Sequence, residues 1–188
     1  MVTPDSPAAA RFYGRTEEAI MRSVTIPLVL LTGYAVVACF AFATTAAETV
    51  LLYPNIYRDI PESLELTERF MSVVRVGDVM RPLGGVLTLC ALIAAAAAVR
   101  YRVGLRWLGL SLASLVSGQF LLSILYQWPR ASILFDDRAE HSLAEIERAA
   151  TEFQIGQGFR IAAAALTALC AVAAALVCYR RRVLATQP

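Results

Sequence analysis

The sequence predicts an all-α fold, a bundle of four transmembrane helices with both termini in the cytoplasm. Of its 188 residues 58% are hydrophobic, whereas soluble domains are roughly 45–50% apolar. Only 17% are charged, and the apolar residues fall in four long runs. A helix of about 20 apolar residues crosses the roughly 30 Å hydrocarbon core of a bilayer. Each run is therefore long enough to form one span.

The four runs divide the chain into a single membrane domain with two short polar ends. The first run exceeds the about 7–15 apolar residues of a signal peptide, so we interpret it as an uncleaved span. We predict spans at about 24–52, 80–99, 105–128 and 154–179. A polar arm (1–22) precedes the membrane domain (23–182), a short tail (183–188) follows it, and two long loops (53–79 and 129–153) connect spans.

Arginine distribution predicts the orientation. The arginine clusters are Arg11, Arg15 and Arg22, then Arg100, Arg102 and Arg106, and finally Arg180, Arg181 and Arg182. The loops 53–79 and 129–153 carry most of the acids instead. The positive-inside rule then puts both termini in the cytoplasm and both long loops outside. All 17 basic residues are arginine, which together with the alanine runs favours a bacterial chain. We therefore predict a multi-pass protein of the inner (plasma) membrane.

Both outer loops carry helix signals. Asp59 is followed by Pro61 and an acidic first turn, which is a typical helix start. After it Leu64, Phe70, Met71 and Val74 recur at roughly helical spacing, which predicts an amphipathic helix on the outer surface. In the second loop, Ser142-Leu143-Ala144-Glu145 matches a capping box. No proline follows before the fourth run ends, so we expect one long helix from about 143 to 179.

Two charged residues stand near the outer ends of spans, where they are costly. Glu48 ends the first apolar run and Arg160 opens the fourth, at matching depth. Charges in the membrane usually pair with one another or face a cavity. We therefore predict a Glu48–Arg160 pair and take both residues as candidate catalytic groups, while snorkelling of Arg160 to the headgroups remains the alternative.

Uncharged polar residues cluster at the same depth. Gln119 and Tyr126 share a face of span three, since they are seven residues apart. Gln157 lies one turn before the arginine of span four, and Tyr53 follows span one. These four are our candidate ligand-binding residues. Two interpretations stay open: a polar pocket under the outer loops, or hydrogen bonds that hold the helices together, each worth about 0.6 kcal/mol.

Several classes of function are disfavoured. The four cysteines lie inside apolar runs and form no Cys-x-x-Cys pair, which argues against a disulfide oxidoreductase. A single histidine without ligand spacing argues against zinc, so we predict neither a metal nor another cofactor. A net charge of +2 gives no basis for nucleic-acid binding. The absence of an internal repeat or a broken span disfavours a transporter.

The termini of the spans resemble a known family. Tyr53-Pro54-Asn55 follows span one, Trp128-Pro129 ends span three, and an aromatic and polar stretch from Phe153 to Arg160 opens span four. In these respects the chain resembles the anthrone oxygenase-like family of small four-helix membrane proteins and, more weakly, DoxX-like proteins. The resemblance implies a cofactor-independent oxidoreductase acting on an aromatic substrate.

Two functional hypotheses follow. In the first, the protein binds or oxidises an apolar aromatic or quinone-like molecule near the outer membrane face. In the second, it is a non-catalytic accessory or structural subunit of a membrane complex, because small residues such as Gly109 and Ala113 favour helix packing. The expected partners are membrane lipid, an apolar small molecule, and a second copy or another membrane protein.

The predicted orientation is testable with fusions. A fluorescent protein that folds only in the cytoplasm should fluoresce when fused after Pro188 and stay dark when inserted in loop 129–153. An export-dependent phosphatase at the same two positions should give the reverse pattern. Phosphatase activity at the carboxyl terminus would contradict the four-span orientation.

Overall fold

A computed structural model describes the backbone of residues 7–185 and the side chains of residues 25–184. Residues 1–6 of the predicted arm and 186–188 of the tail lie outside this part. Within 7–185 the chain is almost entirely helical and has no strand. The helices are α1 (Pro7–Leu51), α2 (Tyr53–Ile56), α3 (Glu62–Phe70), α4 (Val76–Tyr101), α5 (Leu105–Asp136) and α6 (Leu143–Ala185). A single 3-10 turn, Arg138–Glu140, stands between the last two.

Four stretches are long and apolar enough to cross a membrane, as predicted. They are Thr25–Ile56, Val76–Tyr101, Leu105–Asp136 and Leu143–Leu184. The long helix expected from residue 143 is also confirmed, because α6 continues unbroken to Ala185. Most of the predicted polar arm is helical, because α1 begins at Pro7 and is continuous with the first span. A proline is tolerated in a first helical turn because the N–H it lacks has no partner there.

The four long helices form a closed ring. α1 packs against α4 and α6, α6 packs against α5, and α4 packs against α5. Small side chains dominate the central contacts, which lets the backbones approach closely where lipid supplies little hydrophobic drive. The buried small residues are Ala35, Ala38, Ala91, Ala94, Ala98, Ala168, Ala171, Ala174 and Cys178.

The two ends of the ring differ in charge. We call the end with residues 52–75 and 137–142 the loop end, and the end with residues 102–104 and the carboxyl terminus of α6 the arginine end. Every acidic residue of 25–184 falls within 48–78 or 136–152. At the arginine end, Arg181 Nη1 donates to the Arg102 carbonyl at 2.9 Å. The direction of the molecule across the membrane stays a prediction from this asymmetry.

A tight connection joins α4 to α5 at the arginine end. Arg102 adopts a left-handed conformation with φ of 50°, and Gly104 follows with φ of 66°. A Cβ at Gly104 would lie 3.2 Å from the carbonyl oxygen of Ala174. Only glycine combines this conformation with so close an approach to the neighbouring backbone. The connection therefore brings α5 directly beside α6.

The helix of span three extends beyond the predicted span. The sequence placed the end of the span at Trp128-Pro129, and α5 runs through Pro129 to Asp136, which leaves only 137–142 between the helices. α5 contains wide π-helical turns, one of which ends at Gln127 and another of which ends at Asp136. Proline normally clashes with the carbonyl four residues earlier. A widened turn before it provides the space to continue the helix.

The two small-residue pairs of α5 point in different directions. Ser114 and Gly118 face α6: the Ser114 hydroxyl donates to the Ala163 carbonyl at 2.9 Å, and a Cβ at Gly118 would lie 2.2 Å from the Cβ of Ala163. Gly109 and Ala113 are exposed, and a Cβ at Gly109 would meet nothing within 4 Å. Only the first pair therefore packs inside the bundle.

The two loops pack together at the loop end. Leu64 of α3 is fully buried in a cluster that also contains Leu134 and Ile146. Arg138 donates two hydrogen bonds to Glu68 of α3, from Nη1 to Oε1 at 3.2 Å and from Nη2 to Oε2 at 3.0 Å. A bidentate pair of this kind fixes orientation as well as adding energy. Residues of the two loops therefore pack against each other.

The apolar face predicted for α3 needs correction. Leu64 and Phe70 were expected to share a face, but Leu64 is buried and Phe70 is exposed. Six residues correspond to about 240° of rotation around a helix, so these two side chains lie far apart on its circumference. The helix exists where predicted, but only part of the expected stripe packs against the protein.

The close approach of α5 to α6 predicts a sharp difference between two glycines. Gly118→Ala should lower the free energy of unfolding by about 1–3 kcal/mol, because the added methyl overpacks against Ala163. Gly109→Ala, the matched control in the same helix, should be neutral or slightly stabilising. Thermal unfolding in detergent would measure both, and equal midpoints would contradict the packing described.

Candidate functional site

Glu48 and Arg160 come together at the loop end but do not form a direct ion pair. The two groups are close enough for their charges to interact, yet no nitrogen–oxygen contact within 4.0 Å joins them. Arg160 Nη1 instead donates to Gln157 Oε1 at 3.0 Å, and Tyr53 donates its hydroxyl to Glu48 Oε1 at 3.4 Å. The predicted direct ion pair is wrong, because the Arg160 guanidinium donates to Gln157 of the same helix instead.

Gln157 connects α1 with α6. Its side chain is fully buried, and its Nε2 donates to the Thr49 hydroxyl at 2.9 Å. Thr49 in turn donates to the Thr45 carbonyl one turn back, also at 2.9 Å. Because Gln157 also accepts from Arg160, one amide holds both a neighbouring helix and the arginine. This amide sets the position of the guanidinium in the site.

An aromatic wall stands beside these polar groups. The rings of Tyr53 and Tyr57 meet edge to face with centroids 5.2 Å apart, and Phe153 of α6 lies 5.9 Å and 6.2 Å from them. Burial, followed by the negative charge of Glu48, raises the pKa of the Tyr57 phenol above its usual value. The phenol therefore stays protonated and remains a hydrogen-bond donor.

Two buried polar atoms at this end have no hydrogen-bond partner in the protein, and they are the only such side-chain atoms among residues 25–184. One is Nε of Arg160, a donor, and the other is Oε1 of Gln127, an acceptor. Gln127 is only 1% exposed, and its Nε2 donates to the Phe153 carbonyl at 3.3 Å. Leaving such an atom unsatisfied costs about 1–3 kcal/mol. The site therefore keeps one hydrogen-bond donor and one acceptor that have no partner in the protein.

We call Glu48, Tyr53, Gln127, Gln157 and Arg160 the loop-end cluster. Phe153, Gln157 and Arg160 follow one face of α6 at spacings of three to four residues. Gln127 of α5 meets α6 at the Phe153 carbonyl, about two turns before Arg160. Four of the five residues were predicted from sequence, whereas Gln127 was not among the candidates.

Gly156 makes room for the α5 side of the site. A Cβ there would lie 2.8 Å from the ring of Tyr126 and 3.0 Å from Gln127 Nε2. The Arg130 guanidinium covers the same ring, 3.6 Å from its centroid, and its Nε binds Glu152 Oε2 at 2.8 Å. No hydrogen bond or ring contact joins Tyr126 to Glu48 or Arg160. Tyr126 therefore lies beside Gly156 and Gln127, outside the loop-end cluster.

Gln119 is separate from the cluster. It donates to the Thr167 hydroxyl at 3.1 Å, ten residues or about 15 Å beyond Gln157 along α6. The same region contains a Tyr34–Ser111 hydrogen bond of 2.8 Å and a bond from Ser111 to the Thr167 carbonyl, also 2.8 Å. These groups satisfy one another between spans. For Gln119 the structure matches interhelical hydrogen bonding, one of the two interpretations left open.

Metal-binding and thiol groups do not accompany the cluster. In residues 25–184 no three His, Cys, Asp or Glu side chains gather as they would around a metal ion. His141 lies 3.9 Å from Glu145, next to it on the surface of the loop. Cys39, Cys90 and Cys170 form no disulfide. The chemistry available at the site is therefore that of a carboxyl, a guanidinium, amides and phenols.

No family model matches the chain, and neither a curated protein nor a solved structure matches it. The anthrone oxygenase-like resemblance consequently rests on the short motifs at the span ends. The contacts at the loop end are the stronger basis for a function, because they place specific donors and acceptors together.

The bridging role of Gln157 can be separated from a general effect of substitution. Gln157→Leu should destabilise the protein by about 1–3 kcal/mol, because Arg160 Nη1 and the Thr49 hydroxyl both lose a buried partner. Gln154→Leu, at an exposed position one turn earlier, should change stability by less than about 0.5 kcal/mol. Thermal unfolding in detergent would compare them, and a Gln154 effect as large as that of Gln157 would contradict this role.

Proposed function

We propose that this chain is a multi-pass protein of a bacterial inner membrane that binds an apolar aromatic or quinone-like molecule at the loop-end cluster. The main support is the unpartnered donor of Arg160 and the unpartnered acceptor of Gln127 beside an aromatic wall. Small-molecule sites commonly combine apolar and aromatic surfaces with a few fixed polar groups. A membrane-soluble aromatic molecule that carries both a hydrogen-bond acceptor and a hydroxyl donor suits that combination.

Each group has a chemical role in this proposal. Arg160 Nε would donate to a carbonyl or phenolate oxygen, a charge-assisted bond worth about 1.5–3 kcal/mol. The rings of Tyr53, Tyr57 and Phe153 would contact the flat part of the ligand. Gln127 Oε1 would accept a hydrogen bond from a ligand hydroxyl. Gln157 holds the guanidinium in place and so positions the main donor.

Catalysis is an extension of this proposal. Glu48 is the one carboxyl in the cluster, so it is the candidate base that removes a proton from the bound molecule. Arg160 would stabilise the negative charge that develops on the ligand oxygen. This division of roles is consistent with the cofactor-independent oxidoreductase activity that the family resemblance implies.

A non-catalytic accessory subunit is the second candidate. It is favoured by the exposed pair Gly109 and Ala113, which gives α5 a smooth outward surface. Small residues of this kind let another transmembrane helix approach closely. Native gel electrophoresis of mildly solubilised membranes distinguishes the candidates, since a subunit would migrate in a larger complex that Gly109→Leu disrupts.

Binding is tested with two arginines of the same helix. Purified wild-type protein should bind decylubiquinone saturably, measured by quenching of intrinsic fluorescence. Arg160→Met should weaken binding roughly 10- to 100-fold, because about 1.5–3 kcal/mol of hydrogen bonding is lost. Arg148→Met is the control, since Arg148 is exposed and bridges only Glu152 at 3.7 Å.

Mass spectrometry of organic extracts provides an independent measure. Wild-type protein should retain an apolar aromatic or quinone-like molecule after purification, and Arg160→Met should release it. Equal affinity and equal retention in the two variants would overturn the assignment of Arg160. Absence of both retention and saturable binding in the wild type would overturn the proposed function.

A further inference from the structure

α3 presents an unusual stripe of large apolar side chains to its surroundings. Leu66 is 68% exposed, Phe70 82%, Val73 91% and Val74 57%. Leu66 and Phe70 are four residues apart and share a face of the helix, and the valines continue from its end. Exposed apolar groups that cluster in this way usually mark an interaction surface. We call these four residues the α3 stripe.

The stripe points outward because the rest of α3 is held firmly. Leu64 is 0% exposed within the loop-end hydrophobic cluster. Glu68 is bound by both Nη atoms of Arg138. Leu64 and Phe70 are about 120° apart around the helix axis, so burying the first leaves the second outside. The exposure of the stripe thus follows from how α3 packs.

The chain leads directly from the stripe into a transmembrane helix. Val74 lies two residues before α4 begins, and the Arg75 N–H donates to Asp78 Oδ2 at 3.0 Å, which fixes that helix start. The 26 residues of α4 extend about 39 Å, more than the roughly 30 Å hydrocarbon core. The helix is therefore long enough for its first turns to reach the level of the headgroups. The outward side of α4 continues the apolar surface through Val79 and Val86.

We propose that the α3 stripe inserts into the interfacial layer of the same bilayer that the four helices cross. Interfacial helices place an apolar face at the boundary between headgroups and acyl chains, and the connection to α4 keeps the stripe at that depth. A stable protein–protein interface needs about 20–30 residues on each side, far more than four side chains supply. The lipid surface is therefore the occupant that fits, and the inference does not depend on the loop-end cluster binding a ligand.

Depth-dependent quenching of a new tryptophan tests this in intact protein. Phe70→Trp is compared with Glu65→Trp, an exposed position of α3 about 140° away around the helix. Both are reconstituted in vesicles of phosphatidylcholine and phosphatidylglycerol, with and without bromines on the upper acyl chain. The signal of wild type, which carries Trp107 and Trp128, is subtracted.

The expected result is stronger bromolipid quenching at position 70 than at position 65 by at least about twofold, with iodide in the water giving the opposite order. Leu66→Trp should behave like Phe70→Trp, which guards against one variant failing to fold. Iodide quenching at position 70 equal to that at 65 would overturn the proposal. Protection of position 70 from both quenchers would also overturn it, since a second copy would then cover the stripe.

Discussion

The close approach of α5 to α6 is the constraint on which the other features depend. Lipid supplies little hydrophobic drive between helices, so the bundle needs backbones that pack tightly. Gly104 against Ala174 and Gly118 against Ala163 provide such contacts at the start and in the middle of α5. They hold α5 beside α6, which also packs against α1.

Buried polar groups are paired differently in the middle of the bundle and at its loop end. In its middle, Tyr34, Ser111, Gln119 and Thr167 satisfy one another between spans, which avoids the cost of an unpaired group in hydrocarbon. At the loop end the pairing of polar groups is incomplete, since Gln127 and Arg160 each keep one atom without a hydrogen-bond partner. These two atoms stand out because the other buried side-chain polar atoms of residues 25–184 have partners. The loop end is therefore where buried side chains keep hydrogen-bonding capacity that the protein itself does not use.

Sequence patterns predicted where most helices lie, but not where each one ends or which of its faces packs against the protein. Hydropathy was sufficient for the four spans, and a capping box was sufficient for the start of α6. The Trp128-Pro129 pair ended the predicted span but does not end the helix, because a widened turn precedes the proline. Phe70 and Leu64 were wrongly expected on one face, since spacing alone does not say which face of an amphipathic helix meets the protein. Gln127 gave no distinctive signal, and its burial depends on the absence of a side chain at Gly156.

By itself the sequence determined the number of apolar helices long enough to cross a membrane, the asymmetry of charge between the two ends, and the position of Glu48 and Arg160 towards the loop end. These are properties of single segments, governed by transfer between water and lipid. Tertiary structure alone decided that Gln157 takes the guanidinium, that Gln119 stands apart, and that one atom each of Arg160 and Gln127 goes unmet. Those outcomes depend on distances between helices, which are set by the fit of small residues across an interface and not by the hydropathy of any one segment.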